Sequence, residues 1–458
     1  MKKNILNIVK KSFSTNTSIK SKVCVVGAGP AGFYAAQVLS RKLPEAQIDI
    51  YERLPVPFGL VRFGVAPDHP EVKNVVHTFT KTAEQQNVRF LGNVDVGKDI
   101  DLKDLKEAYH SVLLAYGADE SKYLNIPGEK LKNVLSARNL VGWYNGTPWD
   151  KDLPVDLSNP NVAIFGQGNV AIDIARILLT PIDILKKTDI TEVALNHLAS
   201  SKVKTVYLVG RRGPLQAAFT IKELREMTKL ENCKSVWNEN DFVGVEEIIP
   251  ELQRPRKRLT ELMLKSMREN KAGEKAFIPK FFRSPLEFQG AEAVEKVKLG
   301  VNKMEGSDFR TQRASLTDEV EYLDCGMAVT SIGYKSVSID AAIPFDDKKG
   351  TVEQKNFKVS DGLYACGWLA TGPTGVILTT MNNAFNAAGL MIEEVNDLLT
   401  IPKPGFESIG TKLKENNVQV VEWKDWLKID QYEEENGKSL GKPREKIVDV
   451  QKMLEIAH

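Results

Sequence analysis

The stretch Lys22–Gly32, KVCVVGAGPAG, decides the fold of this chain. Its first five residues form an apolar run typical of a buried strand, and a helical pattern follows its last glycine. Between them Gly27, Gly29 and Gly32 have the spacing G-x-G-x-x-G. Between a strand and a helix this spacing predicts a dinucleotide site. The first two glycines let the backbone approach a pyrophosphate, and the third lets helix and strand pack closely.

A second copy of this unit occurs later in the chain. The apolar run Asn161–Phe165 leads into Gly166–Ala171, GQGNVA, and another helical pattern follows. We call Gly27–Gly32 the first glycine turn and Gly166–Ala171 the second glycine turn. One such motif is a weak signal, whereas two copies in the same strand–turn–helix context predict two dinucleotide-binding domains.

The residues that follow the next strand differ between the two units. Glu52 ends that strand in the first unit, and a carboxylate there binds an unmodified ribose and repels a 2′-phosphate. Arg211 and Arg212, the arginine pair, hold the matching place in the second unit, and guanidiniums suit a phosphate dianion. The second site is therefore predicted to bind NADP and the first FAD or NAD. We favour FAD, because a flavin gives the hydride an acceptor.

The order of the apolar runs predicts an α/β fold in which one Rossmann-like domain is inserted into another. Ser111–Ala118 and Met327–Tyr334 resemble strands that carry the chain into and out of the inserted domain. We expect an FAD domain over 21–118, an NADP domain over 119–329, and the rest of the FAD domain with C-terminal helices over 330–458.

The N-terminus has the composition of a targeting segment. Met1–Lys20 contains five lysines and five serines or threonines, and no acidic residue occurs before Glu45. This pattern predicts a mitochondrial presequence over 1–20 and a protein of the matrix, or of the matrix face of the inner membrane. The alternative is a basic tail with no targeting role.

Composition and charge exclude several other classes of protein. The 458 residues carry a net charge of only +2, which does not indicate a nucleic-acid partner. None of the four cysteines forms a C-x-x-C pair and the five histidines do not cluster, so we expect no redox dithiol, iron–sulfur cluster or metal site. No apolar run is long enough to span a bilayer.

Several longer segments resemble the adrenodoxin reductase family, the mitochondrial ferredoxin–NADP reductases of the glutathione-reductase-like flavoproteins. They include VVGAGPAGFYAAQ, VPFGLVRFGVAPDHPEVK, GQGNVAIDIARILLTP, VGRRGPLQAAFTIKELREM, RPRKRLTELML and GPTGVI. The resemblance runs from about Lys22 to His458. One departure from the wider superfamily is Gly367-Trp368, where most members have Gly-Asp, and the adrenodoxin reductase branch shares this tryptophan.

The resemblance implies a set of cofactor contacts and an activity. The activity is transfer of a hydride from NADPH to FAD and of single electrons to an acidic 2Fe–2S ferredoxin. We expect a monomer, because nothing in the sequence demands a larger assembly, and a protein that is either dissolved in the matrix or peripheral to the inner membrane. The implied FAD contacts are Ala31, Glu52, Leu60, Val96, Trp368, Gly375, Val376 and Ile377. The implied NADP contacts are Gln167, Gly168, Asn169, Val170, Arg211, Arg212, Glu223 and Gly375.

Two further groups of residues are candidates for a role in turnover. His69 could relay a proton with Asp173 as its partner, although the simpler interpretation is that His69 fixes its loop and Asp173 pairs locally. A basic run opens a probable helix and suits an acidic ferredoxin, whereas its simpler interpretation is a solvated face. The run consists of Arg254, Arg256, Lys257 and Arg258.

Three competing functions remain at this point. A flavin disulfide reductase needs a dithiol, and an electron-input subunit of the glutamate synthase type carries cysteine-rich cluster segments; both features are missing here. An FAD-binding scaffold or redox sensor without catalytic activity would keep Glu52 but would not need the arginine pair.

Overall fold

A computed structural model describes residues 19–269, 271–375 and 377–458 of the chain. The presequence predicted over 1–20 lies almost entirely outside the described residues. The fold is built on two mainly parallel sheets flanked by helices, as the sequence predicts. Of the helices that this part of the chain contains, none combines the length and the apolar character needed to cross a membrane.

The first sheet has seven strands, and its members come from both ends of the chain. Its five central strands are parallel and the two edge strands are antiparallel to their neighbours. Such a sheet is covered on both faces, which explains the uninterrupted apolar run before the first glycine turn. In spatial order the strands are Lys358–Ser360, Leu363–Ala365, Ser111–Leu114, Lys22–Val26, Gln47–Tyr51, Val88–Gly92 and Val421–Glu422.

The second sheet has six strands, all parallel, from the middle of the chain. Before its last strand, the chain forms a three-stranded antiparallel sheet that consists of Arg283–Gln289, Lys296–Glu305 and Arg313–Asp324. In spatial order the six strands are Val134–Ser136, Met327–Thr330, Asn161–Phe165, Thr205–Val209, Lys275–Lys280 and Cys233–Ser235. The domain that contains this sheet is therefore inserted into the domain of the first sheet.

The segments that cross between the domains differ from the expected ones. Ser111–Leu114 and Met327–Thr330 are each buried strands within one sheet. The crossing is made by a short antiparallel ribbon of Glu120–Ser121 and Tyr334–Lys335. The sequence does not distinguish these two apolar runs from connectors, because a strand buried on both faces has no periodicity of its own.

Sixteen α-helices cover the sheets in the described part of the chain. The helix after the first glycine turn packs on the long helix that follows Gly375. In chain order the helices are Pro30–Lys42, Leu60–Phe63, Val76–Ala83, Leu102–Ala108, Ala137–Asn145, Asn169–Leu179, Ile182–Leu185, Glu192–Ala199, Ile221–Lys229, Val245–Ile248, Arg254–Arg268, Trp368–Thr371, Ile377–Leu398, Phe406–Glu415, Trp423–Ser439 and Val450–Ala457.

A loop rich in proline and glycine, Pro55–Pro70, lies between the two domains, and we call it the proline loop. We expect a surface of turns from its lack of periodicity, but Phe58 and Val61 within it are buried. The ring of Phe58 lies 6.3 Å from that of Phe79 and 6.0 Å from that of Trp426, measured between centroids. This aromatic packing, which joins segments distant in sequence, holds the loop against the first domain.

Candidate functional site

Each of the three glycines of the first glycine turn is required for a different structural reason. Gly27 has φ of +107°, and a Cβ there would lie 2.7 Å from the carbonyl oxygen of Ala115. A Cβ on Gly32 would lie 2.0 Å from the carbonyl oxygen of Gly27, so helix and strand could not approach. A Cβ on Gly29 would meet no atom within 4 Å. The backbone at Gly29 therefore faces open space that can admit a pyrophosphate.

Glu52 ties the end of its strand to this turn. Its Oε2 accepts a hydrogen bond from the backbone N–H of Ala28 at 3.0 Å, and its Oε1 accepts one from Leu54 at 3.2 Å. Burial raises the pKa of Glu52, and the charge of Arg53 and the backbone donors oppose that rise. The carboxylate thus stands beside the glycine turn, where a ribose diol would find an acceptor.

Two other loops meet the first glycine turn. A Cβ on Gly59 would lie 3.1 Å from the Cα of Gly29, so the proline loop touches the turn and places Leu60, 36% exposed, beside it. A Cβ on Gly367 would lie 2.6 Å from the Cβ of Ala31, so the Gly367-Trp368 turn meets the start of the same helix. These contacts bring Ala31, Leu60 and Trp368 around one opening.

The remaining predicted FAD contacts are less closely defined. Val96 is buried in the core beneath the first sheet. Gly375 has φ of +85° and precedes Ile377, the first residue of the long helix. Val376 lies outside the described residues. All of these assignments stay predictions.

The second glycine turn repeats the geometry of the first. A Cβ on Gly166, which has φ of +139°, would lie 2.1 Å from the carbonyl oxygen of Ser331, whereas a Cβ on Gly168 would meet no atom within 4 Å. The side-chain nitrogen of Gln167 is buried without a hydrogen-bond partner among the described residues. An unsatisfied buried donor next to an open turn fits a site whose ligand supplies the acceptor.

The remaining residues of the second glycine turn make contacts within the protein. The side-chain oxygen of Asn169 accepts a hydrogen bond from the backbone N–H of Thr220 at 2.8 Å. Val170 is half-buried and Ala171 is fully buried, which fits a close approach of helix and strand in this copy as well.

The arginine pair directly follows the strand Thr205–Val209. Arg211 and Arg212 are exposed, and within the described ranges neither guanidinium lies within 4.0 Å of a carboxylate. The backbone carbonyl of Arg211 accepts a hydrogen bond from the side chain of Asn302 at 3.0 Å. The backbone carbonyl of Arg212 accepts one from the N–H of Phe282 at 3.2 Å. The loop is fixed and its two positive charges are not neutralised, as an anion site requires.

Behind this turn, Arg176 gathers several carboxylates. Its guanidinium donates to Asp68 of the proline loop at 2.5 and 3.0 Å, to Asp173 at 2.8 Å and to Glu223 at 3.1 Å. Burial raises the pKa of Asp173 to about 7, and Glu223 adds to the rise while Arg176 opposes it. The proline loop therefore touches the first glycine turn at one end and the helix of the second glycine turn at the other.

His69 joins the same group. Its Nε2 lies 2.6 Å from a carboxylate oxygen of Glu226 and 3.9 Å from one of Glu223. Ligand atoms of His69, Asp173 and Glu223 all lie within 4.8 Å of one another. The structure therefore brings the two predicted catalytic candidates together, and it adds Glu226 as the direct partner of His69.

Sequence reasoning missed Arg176 and Glu226. A local signal existed for each, because Arg176 follows Asp173, and Glu226 follows Glu223, by three positions on a helix. The cluster itself could not be predicted, since Asp68 and Arg176 are 108 positions apart in the chain.

The basic run divides at the start of the helix Arg254–Arg268. Arg254 and Arg258 are exposed, whereas Arg256 and Lys257 are half-buried. A guanidinium nitrogen of Arg256 donates to the backbone carbonyl of Ala217 at 2.5 Å. The four residues do not share one surface, and their role in partner binding stays a prediction.

The four cysteines are buried and unpaired. Burial raises the pKa of Cys233 to about 11 and that of Cys325 and Cys366 to about 12, and it also raises that of Cys24. Such thiols are poor nucleophiles at neutral pH, so they cannot serve as the dithiol of a disulfide reductase.

Comparison with known proteins gives the relatives of the chain. A family model described as pyridine nucleotide-disulphide oxidoreductase matches residues 21–229. The chain is 50% identical over 97% of its length to the protein of Salvelinus fontinalis named NADPH:adrenodoxin oxidoreductase, mitochondrial, and covers 93% of it. It is 49% identical over 97% of its length to the protein of the same name from Homo sapiens, of which it covers 94%.

A solved structure is also similar over almost the whole chain. FprA of Mycobacterium tuberculosis, determined in complex with NADPH, is 35% identical and superposes with a TM-score of 0.92. The match covers 96% of this chain and 99% of FprA. These comparisons confirm the predicted fold class, and the names of the relatives confirm the predicted mitochondrial location.

Proposed function

The chain belongs to the NADPH:adrenodoxin oxidoreductase family, and we propose that it binds FAD at the first glycine turn and NADPH at the second and reduces an adrenodoxin-like 2Fe–2S ferredoxin. The observation that carries this proposal is the opposite charge beside the two turns. Glu52 stands next to one, and the arginine pair, without a carboxylate partner among the described residues, stands next to the other.

Bound FAD supplies a ring that accepts the hydride of NADPH and releases electrons to the acceptor. The protein's own contribution is binding and orientation. Glu52 holds the ribose of the first cofactor, the arginine pair holds the 2′-phosphate of the second, and each open glycine admits a pyrophosphate. The proline loop fixes the distance between the two sites, because Gly59 touches one turn and Asp68 is bound by Arg176 behind the other.

The Arg176 cluster supports a positioning role at the junction. Arg176 donates to Asp68 of the first domain and to Glu223 of the second, and His69 lies against Glu226. A charge-assisted network of this kind, built around the buried Arg176, favours one relative placement of the proline loop and the second glycine turn.

The ferredoxin is proposed to dock at the exposed part of the basic run. Arg254 and Arg258 lie four positions apart and therefore share one face of their helix. Opposed charged patches raise the rate of encounter and set the register of a complex. We expect Arg258→Glu to slow ferredoxin-dependent cytochrome reduction at least tenfold at low salt, with NADPH–ferricyanide activity unchanged. Equal loss of both activities would contradict this docking site.

A spectrum tests the function as a whole. Purified protein should be yellow, and NADPH should bleach it anaerobically at least a hundredfold faster than NADH at equal concentration. A scaffold that holds FAD but has no NADP site would stay yellow with either nucleotide. Protein that cannot be loaded with flavin would rule out the proposal.

A further inference from the structure

Helix geometry separates Arg256 from the other arginines of the basic run. Successive residues of an α-helix are about 100° apart, so Arg254 and Arg258 are close in direction whereas Arg256 points to the other side. The exposure of the side chains follows this geometry, since Arg254 and Arg258 are exposed and Arg256 is half-buried. Arg256 is therefore oriented toward its own domain.

The group that Arg256 contacts belongs to the segment after the arginine pair. A guanidinium nitrogen of Arg256 lies 2.5 Å from the carbonyl oxygen of Ala217. The next residue, Ala218, donates its backbone N–H to the carbonyl oxygen of Gln167 at 2.9 Å. One short segment thus connects Arg256 to the second glycine turn on one side and to the arginine pair on the other.

The charges in this region are not balanced. Burial and the nearby positive charge of Arg212 lower the pKa of Arg256. No carboxylate of the described residues lies within 4.0 Å of Arg211, Arg212 or Arg256. A half-buried cation beside another positive charge is unfavourable unless a negative group joins them, and a phosphate dianion would do so.

We propose that Arg256 is a specificity-determining residue of the NADP site, which adds a third positive charge to the arginine pair around the 2′-phosphate and takes no part in ferredoxin docking. The inference rests on the proposed NADP site and assigns to it a residue of the basic run. It predicts that Arg256 affects only nucleotides that carry the 2′-phosphate.

Nucleotide binding to the FAD-loaded protein tests the proposal without turnover. Calorimetry would measure the affinity for adenosine 2′,5′-bisphosphate and for adenosine 5′-phosphate, which lacks the 2′-phosphate. We expect Arg256→Gln to weaken the bisphosphate about tenfold and to leave the monophosphate unchanged. Arg256→Lys, which keeps the charge, should lose much less. Lys265→Gln is the matched control, because Lys265 is an exposed cation (72%) further along the same helix.

Steady-state kinetics adds a second readout. With ferricyanide as acceptor, Arg256→Gln should raise KM for NADPH about tenfold with kcat unchanged, and KM for ferredoxin should stay at its wild-type value. Equal weakening of both nucleotides, a lysine variant as weak as the glutamine variant, or a raised KM for ferredoxin would each overturn the inference. If wild-type protein bound the two nucleotides equally, the proposed NADP site itself would fail, which is a distinguishable result.

Discussion

At the scale of single residues, Asp173 makes the stability of the junction between the two domains depend on pH. Burial raises its pKa to about 7 from 3.8, so between these values the folded protein binds one proton more than the unfolded chain. The stability that this group contributes is present below pH 3.8 and is lost as pH rises through 7. Asp173 therefore ionises near neutral pH, and its ionisation there lowers the stability of the folded protein.

Asp173→Asn, which imitates the protonated group, tests this. We expect the melting temperature of the variant to exceed that of wild type by more at pH 8 than at pH 5, because only wild type loses stability across this window. Asp183→Asn, an exposed aspartate on a nearby helix, is the control and should show no such trend. A constant difference between pH 5 and pH 8 would contradict the raised pKa.

At the scale of elements, two glycines of the first glycine turn have different roles. Gly29 has φ of −84°, which alanine also adopts, and open space where its Cβ would lie. Gly32 has no such space, since its Cβ would lie 2.0 Å from the carbonyl oxygen of Gly27. One position therefore serves the cofactor and the other serves packing.

Two alanine variants separate these roles. Gly29→Ala should leave the stability of the FAD-free protein unchanged and weaken FAD binding at least tenfold, because the methyl group occupies the cofactor's space. Gly32→Ala should lower the free energy of unfolding of the FAD-free protein by about 2 kcal/mol, as is typical of overpacking. Urea unfolding measures the free energy of unfolding, and flavin titration measures the affinity for FAD. If Gly29→Ala were the more destabilising change, this division of roles would be wrong.

An element can be predicted from the sequence when the residues that determine its structure are close together in the chain. The glycine turns could be predicted because Gly27 needs a positive φ and the pattern around it lies within eleven residues. The burial of the proline loop could not, since Phe58 packs on Trp426 from the far end of the chain. The different orientations of Arg256 and Arg258 were implied by helix geometry, but the contact with Ala217 was not.

At the scale of the whole molecule, the C-terminal segment joins the two domains. Asp189 of the inserted domain lies 2.6 Å from Lys73 and 2.9 Å from Lys446 of the other domain, measured between nitrogen and oxygen. One carboxylate thus faces two ammonium groups, of which that of Lys446 is buried and that of Lys73 is half-buried. Burial lowers the pKa of Lys446 to about 7 from 10.5, and Asp189 opposes that shift.

The difference between the pKa of Lys446 in the folded protein and in the unfolded chain predicts how stability changes with pH. Between pH 7 and 10.5 the unfolded chain binds more protons at Lys446 than the folded protein does, so the free energy of unfolding rises with pH in that window. Lys446→Met removes this rise. We expect the difference between wild type and variant, measured in urea, to be constant below pH 7 and to shift in favour of wild type up to pH 9.5. Lys438→Met, at an exposed lysine, should follow wild type. A difference independent of pH would show that Lys446 stays charged.

The central claim is that opposite charges assign different cofactors to the two turns, and one measurement tests it most directly. It is the ratio of kcat/KM for NADPH to kcat/KM for NADH in the Arg211→Ala/Arg212→Ala variant, with ferricyanide as acceptor and the bound flavin counted by its absorbance. The account predicts that the ratio falls at least a hundredfold while the flavin content stays at one per chain. An unchanged ratio in a flavin-loaded variant would contradict it.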